Sequence, residues 1–147
     1  MKTGFPRKQK GAAAIEFALV FGIFFAVFYG LISYSLPLLL MQSFNQAAAE
    51  AVRQAMAVDP IAAGTAYPTQ VADRAKNTVV NQLDWIPTSF KFSSDFVSAT
   101  YVGTTLTVAI TYPTANLYSV LPALVVPGIG TIPSLPANLS ARSSLQF

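Results

Sequence analysis

From Gly11 to Leu40 the chain reads GAAAIEFALVFGIFFAVFYGLISYSLPLLL, and Glu16 is its single ordinary charge. Phe17 to Leu40 is a run of 24 residues with no formal charge. About 20 apolar residues are enough to span a bilayer core as a helix, so this stretch is long enough to cross. Past it the apolar positions keep a helical period. Phe44, Ala48, Val52, Ala55 and Met56 fall at i, i+4, i+8, i+11 and i+12. One long helix over 12–59 is therefore predicted, with its transmembrane part at about 17–40, ending where Pro60 disfavours helix at Asp59. Pro37 deletes one helix hydrogen bond and crowds the carbonyl of Ser33, which predicts a kink or local unwinding there. That bend is either simply tolerated or functional. Ala18, Gly22, Ala26 and Gly30 form a small-residue stripe at intervals of four. It reads either as a close-approach surface for another helix or as ordinary membrane-helix composition.

A second helix is predicted from Pro68 to about Leu83. Proline suits a first helical position, and Val71, Ala75, Val79 and Leu83 make one face. Trp85-Ile86-Pro87 ends that unit, with Trp85 read as a packing anchor. Strands follow. Phe90 and Phe92 alternate, and Phe96–Tyr101 and Thr105–Tyr112 flank the hairpin signal Val102-Gly103-Thr104. Leu106, Val108, Ile110 and Tyr112 alternate with Thr105, Thr107, Ala109 and Thr111, the pattern of a half-buried antiparallel strand. Residues 116–136 are apolar but broken by four prolines and two glycines, which excludes a long helix or a central strand. Leu121, Leu124, Val125, Val126 and Ile129 then either cover the sheet as a lid or form an exposed patch for a partner or membrane. Gly128-Ile129-Gly130 lacks the glycine pattern and setting of a phosphate loop. A final strand is expected over 138–147.

These elements give an α+β fold: a long amino-terminal membrane helix, a second amphipathic helix and a small antiparallel sheet. The expected division is a basic leader over 1–11, the helix over 12–59 and an α+β domain over 60–147. On the order of ninety residues is near the lower range for an independently stable domain, so the long helix or a partner is expected to complete the core. Charge adds topology. Lys2, Arg7, Lys8 and Lys10 all precede Gly11, leaving five bases against six acids in the rest of the chain. A basic flank ahead of an apolar span predicts an amino terminus in the cytoplasm and the remaining chain across the inner membrane. No basic cluster lies on the domain, so nucleic acid is not an expected partner. The chain has no cysteine and no histidine, and its acids are scattered. No metal or other cofactor, no catalytic residue and no enzymatic role are expected.

Glu16 separates the ways of reading this amino terminus. A secretory signal has an apolar region of about 7–15 residues and a small-residue cleavage site, and this run is longer. A plain signal anchor fits the hydropathy but leaves Glu16 unexplained. A carboxylate costs roughly 2.5–3.5 kcal/mol at the bilayer centre and less toward the interface. One reading lets Glu16 snorkel to water or pair with Lys10. The other uses its spacing. If the Gly11–Ala12 bond is cut, Ala12 gains a free ammonium at i relative to Glu16 at i+4, on one helix face. The carboxylate would then neutralise its own amino terminus or a neighbour's, favouring one axial register during assembly.

Basic residues, a glycine, a Glu five residues past the cut and an apolar helix resemble the type IV prepilin pattern. The string Lys10-Gly11-Ala12-Ala13-Ala14-Ile15-Glu16-Phe17-Ala18-Leu19-Val20 resembles the TadE-like pseudopilins of tight adherence (Tad) pilus systems, with Glu16-Phe17 typical of that branch. Asn45–Arg53 (NQAAAEAVR) is similar to that family's NAAREGAR-type segment, Leu106–Pro113 to its strand ending in Tyr-Pro, and Leu139–Ser143 to its last strand. Only the Gly-to-Phe motif is specific. The resemblance implies cleavage between Gly11 and Ala12 by a membrane prepilin peptidase. It also implies work as a minor pilin, priming subunit or pseudopilin with other pilin subunits and the pilus assembly machinery, either incorporated into a surface pilus at its tip or shaft or kept in the inner membrane as an initiator. Ala12 departs from the Phe that usually follows the cut in type IVa pilins and type II secretion pseudopilins, which favours the Tad branch. In that setting loosening at Pro37 would let the helix adapt between bilayer and filament. The competing expectations are an uncleaved single-pass envelope protein with a ligand-binding or scaffolding domain, and a binding module released by signal peptidase.

Overall fold

The structure, a computed structural model, describes residues 9–126, 128 and 130–147. The leader residues Lys2, Arg7 and Lys8 lie outside the described residues, as do Pro127, Ile129 and the side chain of Lys10.

The apolar run and the stripe after it form one helix, α1 (Gln9–Ala55), 47 residues long. It passes through Pro37 with helical assignment intact, so the local unwinding expected there is absent. The helix stops four residues short of Asp59. The Asp59 carboxylate instead caps a short helix α2 (Pro60–Ala63), accepting from the backbone N–H of Ile61 at 2.8 Å and of Ala62 at 3.3 Å. An acidic cap followed by proline at the first position is a helix start signal, and here that signal opens a new helix. A 3-10 turn (Gly64–Ala66) leads into α3 (Tyr67–Gln82), one residue off the predicted start. Its face of Val71, Ala75 and Val79 is buried as the period requires, and Leu83 just beyond it is buried too.

Strands β1 (Val97–Val102), β2 (Thr105–Pro113) and β5 (Asn138–Gln146) make an antiparallel sheet in the order β1-β2-β5. Val102 pairs with Thr105 across a two-residue turn. Gly103 there has φ 63°, which suits the first central position of a type II′ hairpin turn. The alternation predicted for β2 holds: Leu106, Val108, Ile110 and Tyr112 are all buried, with Leu139 and Ala141 of β5 beside them. α1 lies over β5 and β2 while α3 lies over β1, and the two helices pack on each other. The result is a layer of two helices on one face of a sheet.

Much of the core belongs to α1. Phe44, Ala47, Ala48, Ala51, Val52 and Ala55 are buried, and the alanines let the helix approach its neighbours closely. Met56, placed on that stripe by its spacing, is half exposed because α1 has already ended. The Phe44 ring packs against Phe92 and Tyr112 at centroid distances of 5.9 and 5.8 Å. Fully burying a side chain of this size contributes roughly 1.5–3 kcal/mol. Residues 60–147 therefore do not hold a complete core of their own, as their small size suggested.

Two local expectations are corrected. Phe90 and Phe92 are not in a strand. Thr88–Phe90 is a 3-10 turn and Lys91 takes a left-handed conformation with φ 52°. That corner sends Phe90 into the core and sets Phe92 beside Phe44, which satisfies the two-residue spacing without a ladder. Trp85 is not a core anchor; it is 52% exposed, and Leu83 and Ile86 fill the interior instead.

Candidate functional site

Residues 11–28 of α1 are exposed around the whole helix. This is the opposite of what their composition wants, since an all-round apolar helix is stable only in lipid or among other helices. The segment is long and apolar enough to cross a membrane. Its aromatic side chains form a ridge. Phe17, Phe21, Phe25 and Tyr29 follow one another at centroid distances of 6.0, 6.4 and 6.4 Å, with Phe24 and Phe28 stacked alongside at 6.0 Å. Their i, i+4 spacing puts each ring over the turn before it. One position further round, Ala18, Gly22 and Ala26 are exposed, and a Cβ added at Gly22 would meet nothing.

Gly11 and Ala12 lie near the start of the described part of α1. Ala12 and Glu16 stand one turn apart, and both are exposed. Among the described residues no ion pair involves Glu16; the ion pair present is Glu50–Arg53 at 2.8 Å, well up the helix. Two hydrogen bonds from the Arg53 guanidinium hold the Glu50 carboxyl below the usual range and raise Arg53 in turn. Glu50 also accepts from Gln54 Nε2 at 2.9 Å, and the Thr78 hydroxyl lies 3.2 Å from Gln54 Oε1, a polar clasp between α1 and α3.

The predicted span of 17–40 runs into the domain before it ends. Ser33, Pro37 and Leu40 are buried at four- and three-residue intervals, so the seam under the domain starts seven residues inside the expected span. Pro37 sits in that seam. It also borders an apolar groove of about 430 Å³ lined by Tyr34, Leu38, Met41, Leu135 and Leu139. Two tyrosines of the span are tied to the segment between α4 (Thr114–Tyr118) and β5. The Tyr29 hydroxyl donates to the Pro122 carbonyl, and the Ser134 N–H donates to the Tyr34 hydroxyl at 3.0 Å. These contacts were not legible in the sequence. The partner of Tyr29 lies 93 residues away.

That segment is neither a lid nor structureless. It holds β3 (Leu124–Val126) and β4 (Gly130–Ile132), a two-stranded sheet separate from the main one. Leu124 and Val125 are 41% and 73% exposed, so these two face outward rather than covering the core, while Leu121 and Val126 are half-buried. Among the described residues no group of three or more His, Cys, Asp or Glu is placed to hold a metal.

Residues 11–53 match a family model described as TadE-like protein. The match lies wholly within α1 and takes in both its exposed apolar half and most of its buried seam. No curated protein and no solved structure matches the chain.

Proposed function

We propose that this chain is a minor pilin or pseudopilin of a Tad-type pilus. It is inserted with its basic leader in the cytoplasm, cut between Gly11 and Ala12 by a prepilin peptidase, and used in initiation, assembly or the tip of the filament. The observation that carries this reading is the TadE-like match laid over a helix that is half bare and half core. The bare half has an apolar surface that the described domain does not cover. A bilayer would cover it before assembly, and the helices of neighbouring subunits would cover it afterwards.

Glu16 fits the same reading. It is a lone carboxylate on an apolar helix, one turn from Ala12 and clear of the domain. A new ammonium at Ala12 would give it a partner across one turn or across a subunit boundary, where low dielectric makes an isolated charge costly. The role asks of the chain a charged register mark and a packing surface, and no reaction of its own.

Amino-terminal sequencing tests this. Protein from cells that hold the peptidase should begin at Ala12, and protein from cells lacking it should begin at Met1. If the start is Met1 in both, or if Gly11→Leu makes no difference, the chain is an uncleaved single-pass envelope protein and the proposal fails.

A further inference from the structure

Distance along α1 fixes how high the domain stands above a bilayer. A helix rises 1.5 Å per residue, so about 20 residues cross a core roughly 30 Å thick. Counted from Ala12, the core ends near Leu31; a count from Phe17 would end it near Leu36 and sink the Tyr29 contact about 10 Å into the hydrocarbon. Yet the domain already touches α1 at Tyr29 and Tyr34, through Pro122 and Ser134. The chain between those two contacts carries the β3–β4 hairpin, which therefore lies beside the outer end of the span and not clear of it.

The surface there suits that depth. No charged residue occurs between Asp95 and Arg142. Leu124 and Val125 present apolar side chains outward. Further along the helix than Tyr34, Trp85 stands beside Leu36 and Leu39, half exposed. Tryptophan and tyrosine concentrate where lipid meets water, because each has an apolar body and a polar tip. The hairpin strands have three residues each. Unpaired edge groups exclude them from the hydrocarbon itself, which leaves the headgroup boundary. The far end of the domain differs. Tyr101 packs on Tyr67 at the start of α3, while Tyr112 packs on Phe44. The Gly103 turn is thus the membrane-distal end of the sheet.

We infer that the β3–β4 hairpin and Trp85 form a foot that rests in the headgroup layer of the outer leaflet, so that the domain is seated on the membrane and not merely tethered to it. The partner is phospholipid. The inference rests on α1 crossing a bilayer, and not on cleavage or on pilus assembly.

The uncut chain in lipid nanodiscs, one copy per disc, provides the test. Trp85 is the sole tryptophan and there is no native cysteine, so both reporters are clean. Lipids with a doxyl quencher high on the acyl chain should quench Trp85 emission more than lipids with the quencher near the chain end. A Val125→Cys variant carrying an environment-sensitive fluorophore should show blue-shifted emission and the same quenching. Val102→Cys, at the distal turn, should show neither. Unquenched Trp85 together with water-like emission at position 125 overturns the inference. So does a blue shift at 125 that arises only when two copies share a disc, which would assign the hairpin to subunit contact. Failure of cleavage at Gly11 leaves these readings untouched, so the two proposals fail separately.

Discussion

The hydroxyl of Tyr112 donates to the carbonyl of Phe90 at 2.7 Å inside the core, while its ring packs on Phe44 of the long helix. One side chain thus joins the central strand, the loop after α3 and the membrane-anchored helix. Removing the hydroxyl leaves the Phe90 carbonyl buried without its partner. Tyr112→Phe should cost about 1–3 kcal/mol, read by denaturant unfolding of the detergent-solubilised chain. Unchanged stability would show that the bond is replaceable.

Burial raises the Tyr112 phenol above its ordinary value. The unfolded chain ionises this group near the usual pH of about 10, while the folded chain still holds the proton. Over that window the folded state binds more protons, so stability falls as pH rises. Below the unfolded value both states are neutral and the group contributes no slope. Unfolding free energies should therefore decline above about pH 10 in the parent chain, with a shallower decline in Tyr112→Phe. Parallel curves would exclude Tyr112 as the source.

Ser33 is fully buried, and its Oγ has no hydrogen-bond partner among the described residues. It lies at the start of the seam, one turn before Pro37. A methyl group there avoids the desolvation cost of an unmet hydroxyl. Ser33→Ala should leave the domain as stable, or more stable by up to about 1 kcal/mol. A clear loss of stability would mean that the hydroxyl has a partner in the native membrane protein.

Glu16 is exposed on the bare part of α1, so its replacement should leave folding alone. Glu16→Ala should insert in the membrane as well as the parent does while lowering the yield of assembled filaments. Membrane fractionation and filament recovery measured on the same cultures separate the two. Equal losses in both would refute the register role.

How much of this was legible in advance depended on range. Glu16 stands out because its signal is local, a single charge in an apolar run at a fixed offset from a glycine. α3 and β2 were readable because period alone fixes which of their side chains face inward, and the structure buries Val71, Ala75 and Val79, and Leu106, Val108 and Ile110 accordingly. Asp59-Pro60 marked a boundary in sequence, but whether it closed one helix or opened another depended on a cap geometry that composition leaves open.

The sequence alone determined the long helix, its apolar surface, the amphipathic partner helix and the alternating strand, since each follows from backbone sterics and spacing over a few residues. The tertiary structure decided where on that helix the domain sits. The ties of Tyr29 to Pro122 and Tyr34 to Ser134 span 93 and 100 residues, the burial of Ser33 depends on what crosses over it, and the outward turn of Trp85 depends on Leu83 and Ile86 having filled the core first. No periodicity encodes such pairings, because they are set by how preformed elements share a limited interior.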